Sequence, residues 1–138
     1  MAALSGITAV RPTANTAPPS NVLYGGTLAV GVPVYQDAAD SNKHKAADAN
    51  LSATTAAAVG ITVSPGVNDG YGWVVSKGSV ILVGTTMAVG TTYYAGPTAG
   101  EIIPAGDLGT GDNVTRLGTA ATTTQLDLDI KATGIPHA

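Results

Sequence analysis

Residues able to do chemistry are concentrated between positions 37 and 48. Four potential metal ligands lie there at spacings of three, four and four residues: Asp37, Asp40, His44 and Asp48. On one helix this spacing would gather carboxylate and imidazole ligands on a single face. However, Lys43 and Lys45 flank the histidine, and the Asp, Asn, Ser and Thr residues around it are poor helix formers. We therefore expect a solvated segment here, and no metal site.

Catalytic groups are sparse in the rest of the sequence. The second histidine, His137, is next to the last residue, and neither histidine has a nucleophile beside it. Ser76 and Lys77 are adjacent, so on a strand their side chains would point to opposite faces. The segment GDLGTGDN at 106–113 lacks the lysine of a phosphate-binding loop. We expect neither an enzyme nor a cofactor.

The elements that must position these residues read as short strands separated by Gly, Pro and Asn-Asp. The pattern is clearest at 125–132, where Leu126, Leu128 and Ile130 alternate with three charged residues. Nine strands are predicted, at 22–25, 32–36, 58–63, 72–76, 79–83, 91–95, 101–104, 114–120 and 125–132. Turns are predicted at 68–70 and 95–100, and at most one or two helical turns within 44–58. The sequence predicts an all-β fold, a small barrel or sandwich of short antiparallel strands.

Composition narrows the classes of partner. Only 11% of the 138 residues are charged, the net charge is −3, and the six basic residues are scattered along the chain. Nucleic-acid binding requires cations gathered along a phosphate path, so we expect no nucleic-acid partner. The longest strongly apolar run is VILV at 80–83, much too short to span a membrane. The first residues lack the pattern of a secretory signal, and we expect synthesis without export.

Residues 1–20 differ in composition from the rest, being rich in Ala, Thr and Pro. Prolines at positions 12, 18 and 19 fix φ and remove backbone donors, which favours an extended conformation. We interpret this segment as an arm rather than part of the core, ordered on a partner or frayed in the free protein.

The sequence after residue 20 contains two similar segments. GTLAVGVPVY at 26–35 matches TTMAVGTTYY at 85–94, with Gly31 and Gly90 aligned. Strands with a central glycine follow in both copies, at Gly60 and Gly118, so the spacing is kept within one residue. We divide the chain into the arm 1–20, a β-rich domain 21–134 with hypothetical half-repeats 21–84 and 85–134, and a tail 135–138. Whether the halves form one barrel or two stacked units is left open.

The order of GGTLAVGVPVYQD, AVGITV, WVVSKGSVILVG, TTYYAGPTAGEI and RLGTAATTTQLDLDI resembles capsid decoration, or cement, proteins of tailed bacteriophages. This resemblance covers about residues 21–134. It implies a virion protein on the outer capsid surface, made in the host cytoplasm, which stabilises the head. The implied partners are the major capsid protein and further copies in a homotrimer. The arm would contact the capsid through Arg11, Pro12, Pro18 and Pro19.

An alternative is a phage fibre or a receptor- or carbohydrate-binding β module. Sugar sites use exposed aromatic rings. The candidates are Tyr24, Tyr35, Tyr71, Trp73, Tyr93 and Tyr94. Tyr71 and Trp73 are two residues apart and would share one face of a strand. Because the core has few large side chains, we expect these rings to be packing anchors instead.

Overall fold

The computed structural model describes residues 3–138 and is nearly all β, as the sequence predicts. Within this range there are eleven strands, one α-helical turn and two 3₁₀ turns at Ala38–Asp40 and Ala105–Asp107. The strands and helix are β1 (Ala9–Pro12), β2 (Ser20–Leu23), β3 (Pro33–Asp37), β4 (Lys43–Ala46), α1 (Ala53–Ala56), β5 (Gly60–Thr62), β6 (Tyr71–Val75), β7 (Lys77–Val83), β8 (Thr92–Ala95), β9 (Ile102–Pro104), β10 (Asn113–Ala120) and β11 (Gln125–Pro136).

The strands form two antiparallel sheets with the same internal order. The five-stranded sheet runs β2-β6-β5-β3-β4, and the six-stranded sheet runs β1-β7-β11-β10-β8-β9. Adding five to each strand number of the first sheet reproduces the second, apart from the additional edge strand β1. The chain is therefore built from two topologically equivalent units, β2–β6 and β7–β11.

The repeated sequence motif marks equivalent positions in the two units. Gly31 and Gly90 precede β3 and β8 and have φ of +78° and +81°, a conformation that favours glycine. Their amides donate to equivalent carbonyls, Gly31 N to Thr62 O at 3.0 Å and Gly90 N to Ala120 O at 2.8 Å. The division at 84/85 placed β7 in the first half, whereas strand pairing assigns it to the second unit.

One large core joins the sheets, and a smaller one lies on the other face of the five-stranded sheet. Ile61 and Val75 of that sheet pack with buried leucines of the six-stranded sheet in the large core. Val74, adjacent to Val75 and pointing to the opposite face, belongs to the small cluster with Tyr24, Leu28 and Val34. Buried residues of the six-stranded sheet in the large core include Leu82, Leu117, Leu126 and Leu128.

The five-stranded sheet curls because its two edges approach each other. Tyr24, just after β2, forms a parallel bridge with His44 of β4, and Gly25 N donates to His44 O at 2.8 Å. The ring of Tyr24 is completely buried and lies against Gly66 and Gly72, where a Cβ would come within 2.4 and 2.2 Å of ring atoms. These two glycines therefore provide the space that the ring fills.

Residues 3–20 are packed on the folded domain, whereas the sequence interpretation took residues 1–20 as an arm separate from the core. Residues 9–12 form strand β1, paired with β7, and Val10 is only 4% exposed in the large core. On the other side, Leu4 N donates to Ile102 O of β9 at 2.9 Å. The described part of this segment thus bonds to strands at both ends of the β7–β11 unit. Its residues 9–12 are extended and Val10 packs in the core, and a turn follows at residues 13–16.

Two further local predictions can be compared with the structure. The segment 44–58 contains a single helical turn, α1, which starts from a capping box formed by Ser52 and Thr55 and confirms the limit of one or two turns. The strand β4 was not predicted. In β11, Leu126 and Leu128 are buried while Asp127 and Asp129 are exposed, as the alternation predicts.

Candidate functional site

The structure separates the four potential metal ligands around position 40. Lys45 Nζ lies 2.8 Å from Asp37 Oδ2 and 3.0 Å from Asp40 Oδ2, so one lysine forms ion pairs with both carboxylates. Asp48 Oδ1 instead accepts a hydrogen bond from Asn50 N at 2.9 Å. Within residues 3–138, no three His, Cys, Asp or Glu side chains gather as a metal site would require.

These charges form an ion-pair network at one end of the five-stranded sheet. The hydrogen bond from Lys45 lowers the pKa of both Asp37 and Asp40, and the two carboxylates raise the pKa of Lys45. Lys43 Nζ lies 2.6 Å from Asp69 Oδ1, and this contact raises the pKa of Lys43. The network connects the β3–β4 hairpin to the turn before β6. We therefore assign it a structural role.

His44 points to the other face of β4 from its two lysine neighbours. Its side chain is buried, and burial lowers its pKa because the protonated form loses hydration. Nδ1 is buried and has no hydrogen-bond partner within the described chain. A neutral imidazole is the form that suits this position.

The glycine-rich turn at 106–113 is occupied by its own carboxylate. Asp112 is 5% exposed, and its Oδ2 accepts a hydrogen bond from Gly109 N at 2.8 Å. The carboxylate of Asp112 therefore caps this turn. Its negative charge would repel an incoming phosphate.

Asp127 and Asp129, two charged residues that alternate with the leucines of β11, also have protein partners. Ser79 Oγ donates to Asp127 Oδ1 at 2.6 Å, and Arg116 Nη2 donates to Asp129 Oδ2 at 2.7 Å. Both carboxylates lie on the solvent-exposed face of the six-stranded sheet.

The N-terminal segment is fixed along the outer edge of β7 over residues 8–17. Thr8 N donates to Val83 O at 2.8 Å, and Ala17 N donates to Lys77 O at 2.9 Å, close to the two ends of that strand. Between them, the hydroxyls of Thr13 and Thr16 both donate to Ser79 O. Residues 9–12 are thereby held as an extended strand, and a turn closed by the hydrogen bond from Thr16 N to Thr13 O at 3.1 Å follows.

The four arm residues predicted to contact a capsid lie in or just after this fixed segment. Arg11 and Pro12 are exposed at the end of β1, Pro18 is exposed and Pro19 is half-buried before β2. Arg11 is thus displayed from an ordered edge strand. Contact with a capsid stays a prediction.

Exposure divides the six aromatic side chains into three groups, of which one, Tyr35 and Tyr94, is half-buried. Tyr24 and Tyr93 are buried, which confirms the prediction that they are packing anchors. The same prediction is wrong for Tyr71 and Trp73, which are 69% and 48% exposed. Both side chains point to the same face of β6 as Val75, but only Val75 packs in the large core.

Strand β2 completes the surface around these rings. Leu23 pairs with Tyr71 and Asn21 pairs with Trp73, so each lies on the same face of the sheet as its partner. We call Leu23, Tyr71 and Trp73 the aromatic platform. Sequence reasoning missed Asn21 and Leu23, because only strand register brings them beside residues about 50 positions away.

No helix within residues 3–138 is long and apolar enough to cross a membrane. The chain matches no protein-family profile, and none of the curated proteins with which it was compared is similar to it.

Proposed function

We propose that this chain is a bacteriophage virion protein that binds the outer surface of the capsid and stabilises the head. Its partners in this role are the major capsid protein and other copies of itself in a homotrimer. The observation that carries the proposal is the N-terminal segment, which is fixed along the edge of β7 and displays Arg11 outward. The resemblance of residues 21–134 to decoration proteins supports the same role.

A prearranged segment favours binding to a repeating surface. Backbone that is already ordered loses little conformational freedom when it docks, so weak contacts are not offset by an ordering cost. An exposed guanidinium can form two parallel hydrogen bonds to a carboxylate on the capsid. Closed symmetry and multiple copies then add the contributions of individually modest contacts.

Removing residues 1–20 is a poor test of this function. The deletion would remove β1, expose the edge of β7 and take Val10 out of the large core. Loss of capsid binding would then be inseparable from loss of the fold. A substitution of an exposed side chain avoids this problem.

The sharper test is Arg11→Glu, measured by cosedimentation with heads of the encoding phage that lack this protein. Reversing the charge should weaken binding about tenfold or more, since a charge-assisted contact becomes repulsive. Lys131→Glu is the matched control, because Lys131 is exposed on β11 and makes the same charge change elsewhere. Equal binding by Arg11→Glu and Lys131→Glu would contradict the role of this segment.

A further inference from the structure

We propose that the chain carries a second binding site, for a neutral carbohydrate, on the aromatic platform of β2 and β6. The proposal does not depend on capsid binding, because it concerns the five-stranded sheet, whereas the N-terminal strand β1 belongs to the six-stranded sheet. It rests on three features of the platform: the exposure of its rings, the rigidity of their backbone and the uncharged polar groups beside them.

The two rings are presented together. Tyr71 and Trp73 lie on the same face of β6, with their Cα atoms about 7 Å apart by strand geometry. A ligand of one or two sugar rings can contact both. The apolar C–H face of a pyranose is suited to packing on such rings, which have apolar bodies and polar tips.

The backbone beneath the rings is fixed. Gly72, between them, lies against the buried ring of Tyr24, and β6 is flanked by β2 and β5. Trp73 N donates to Ser64 Oγ at 3.0 Å, and Trp73 O accepts from Val63 N at 2.8 Å. A site on rigid strands loses little entropy on binding.

The polar groups beside the rings suit hydroxyls. Asn21 Nδ2 donates to Gly72 O at 3.2 Å, which leaves its amide oxygen as an acceptor. Ser64 Oγ accepts from Trp73 and retains its own proton to donate. The platform, Asn21 and Ser64 carry no charge, so an ionic ligand would lose hydration there without gaining a counter-ion. These groups match a neutral ligand.

The size of the platform favours a small ligand over a protein. Complete burial of a tyrosine and a tryptophan removes roughly 150–250 Å² each. A stable protein interface buries about 800 Å² on each partner. Two partly exposed rings and one half-buried leucine fall short of that area.

The first experiment screens the full chain on an array of neutral oligosaccharides and titrates it with the strongest binder. Trp73 is the only tryptophan, so its fluorescence reports directly on the platform. Bound oligosaccharide should protect it from quenching by acrylamide. Absence of binding to every neutral oligosaccharide, or binding that leaves Trp73 equally quenched, would overturn the proposal.

Variants locate the site. Trp73→Ala and Tyr71→Ala should each raise Kd for that oligosaccharide about tenfold. Leu51→Ala is the matched control, since Leu51 is 73% exposed in the loop between β4 and α1 and its substitution should leave Kd unchanged. Circular dichroism checks folding. If Trp73→Ala is unfolded, Trp73→Phe, which keeps a ring, replaces it and should raise Kd less than Tyr71→Ala.

Two results would assign the platform differently. Unchanged Kd in the folded Tyr71→Ala and tryptophan variants would exclude the platform as the sugar site. Self-association in sedimentation that is lost in Tyr71→Ala, without glycan binding, would identify a protein interface instead. Arg11→Glu should leave glycan binding unchanged, so failure of this proposal is distinguishable from failure of the capsid proposal.

Discussion

Replacing Gly72 by alanine should destabilise the protein through one identifiable collision. An ideal Cβ at this position lies 2.2 Å from Cζ and 2.3 Å from Oη of Tyr24, whereas ordinary carbon contacts are about 3.5–4.0 Å. The ring has little room to move away, because Gly66 lies against it as well and its hydroxyl donates to Ser64 O at 2.8 Å.

The expected cost follows from two opposing effects. Alanine in a strand is favoured over glycine by about 0.5–1 kcal/mol, because glycine loses more backbone freedom on folding. Overpacking of a rigid core costs about 1–3 kcal/mol and lies at the upper end when the overlap exceeds 1 Å. We expect Gly72→Ala to lower the free energy of unfolding by about 2 kcal/mol, with a fall in Tm of roughly 6–10 °C.

Urea unfolding followed by Trp73 fluorescence measures this change. Gly26→Ala is the control, because its Cβ meets no atom within 4 Å, and it should change stability by less than about 0.5 kcal/mol. Tyr24→Leu removes the colliding ring atoms, so Gly72→Ala should cost less in that background. Wild-type stability in Gly72→Ala, or a cost unaffected by Tyr24→Leu, would refute the reasoning.

Three other stability predictions use the same unfolding measurement. Val10→Ala should lower the free energy of unfolding by about 1–3 kcal/mol, because Val10 lies in the core. Ile135→Ala, at a position 65% exposed, should lower it by less than about 0.5 kcal/mol. Equal costs would show that the N-terminal segment is not packed on the core. Gly90→Ala should lower the free energy of unfolding by about 1 kcal/mol, because alanine is strained at positive φ. Gly31→Ala should lower it more, because its Cβ would also lie 2.6 Å from Ile7 Cγ2. A larger cost for Gly90→Ala than for Gly31→Ala would contradict this contact. Burial lowers the pKa of His44 below 6.5, so its contribution to stability is fully present above pH 6.5 and is lost as the pH falls through the folded pKa. His44→Gln should therefore reduce the loss of stability between pH 6.5 and 5. An unchanged dependence of stability on pH would contradict this reasoning.

The repeat and most strands were predictable because their signals are local. The alternation in β11 and the motif around Gly31 and Gly90 depend only on neighbouring residues. Similar positive φ angles of +78° and +81° at the two glycines explain why the motif has glycine in both units.

The elements that were missed depend on distant partners. Strand β1 is four residues long and ends in proline, and it forms only because Ala9 pairs with Val83, far along the chain. Strand β4 has the charged sequence KHKA, which resembles a solvated segment until Lys43 and Lys45 find their carboxylate partners.

Exposure of the aromatic residues was unpredictable for a similar reason. Tyr71 and Trp73 have the same strand parity as the buried Val75, so pattern alone groups all three. The packing between sheets decides which of them the core covers. The sequence pairs Tyr71 with Trp73, but only the fold shows that both rings are exposed.

The most direct test of the proposed function is the heat resistance of phage heads with and without the purified protein. Bare heads of the encoding phage are saturated with the protein, the bound copies are counted, and both samples are heated until they release DNA. Capsid stabilisation predicts saturation at a fixed copy number and release at a higher temperature for loaded heads. Absence of saturable binding, or equal release temperatures for saturated and bare heads, would contradict it.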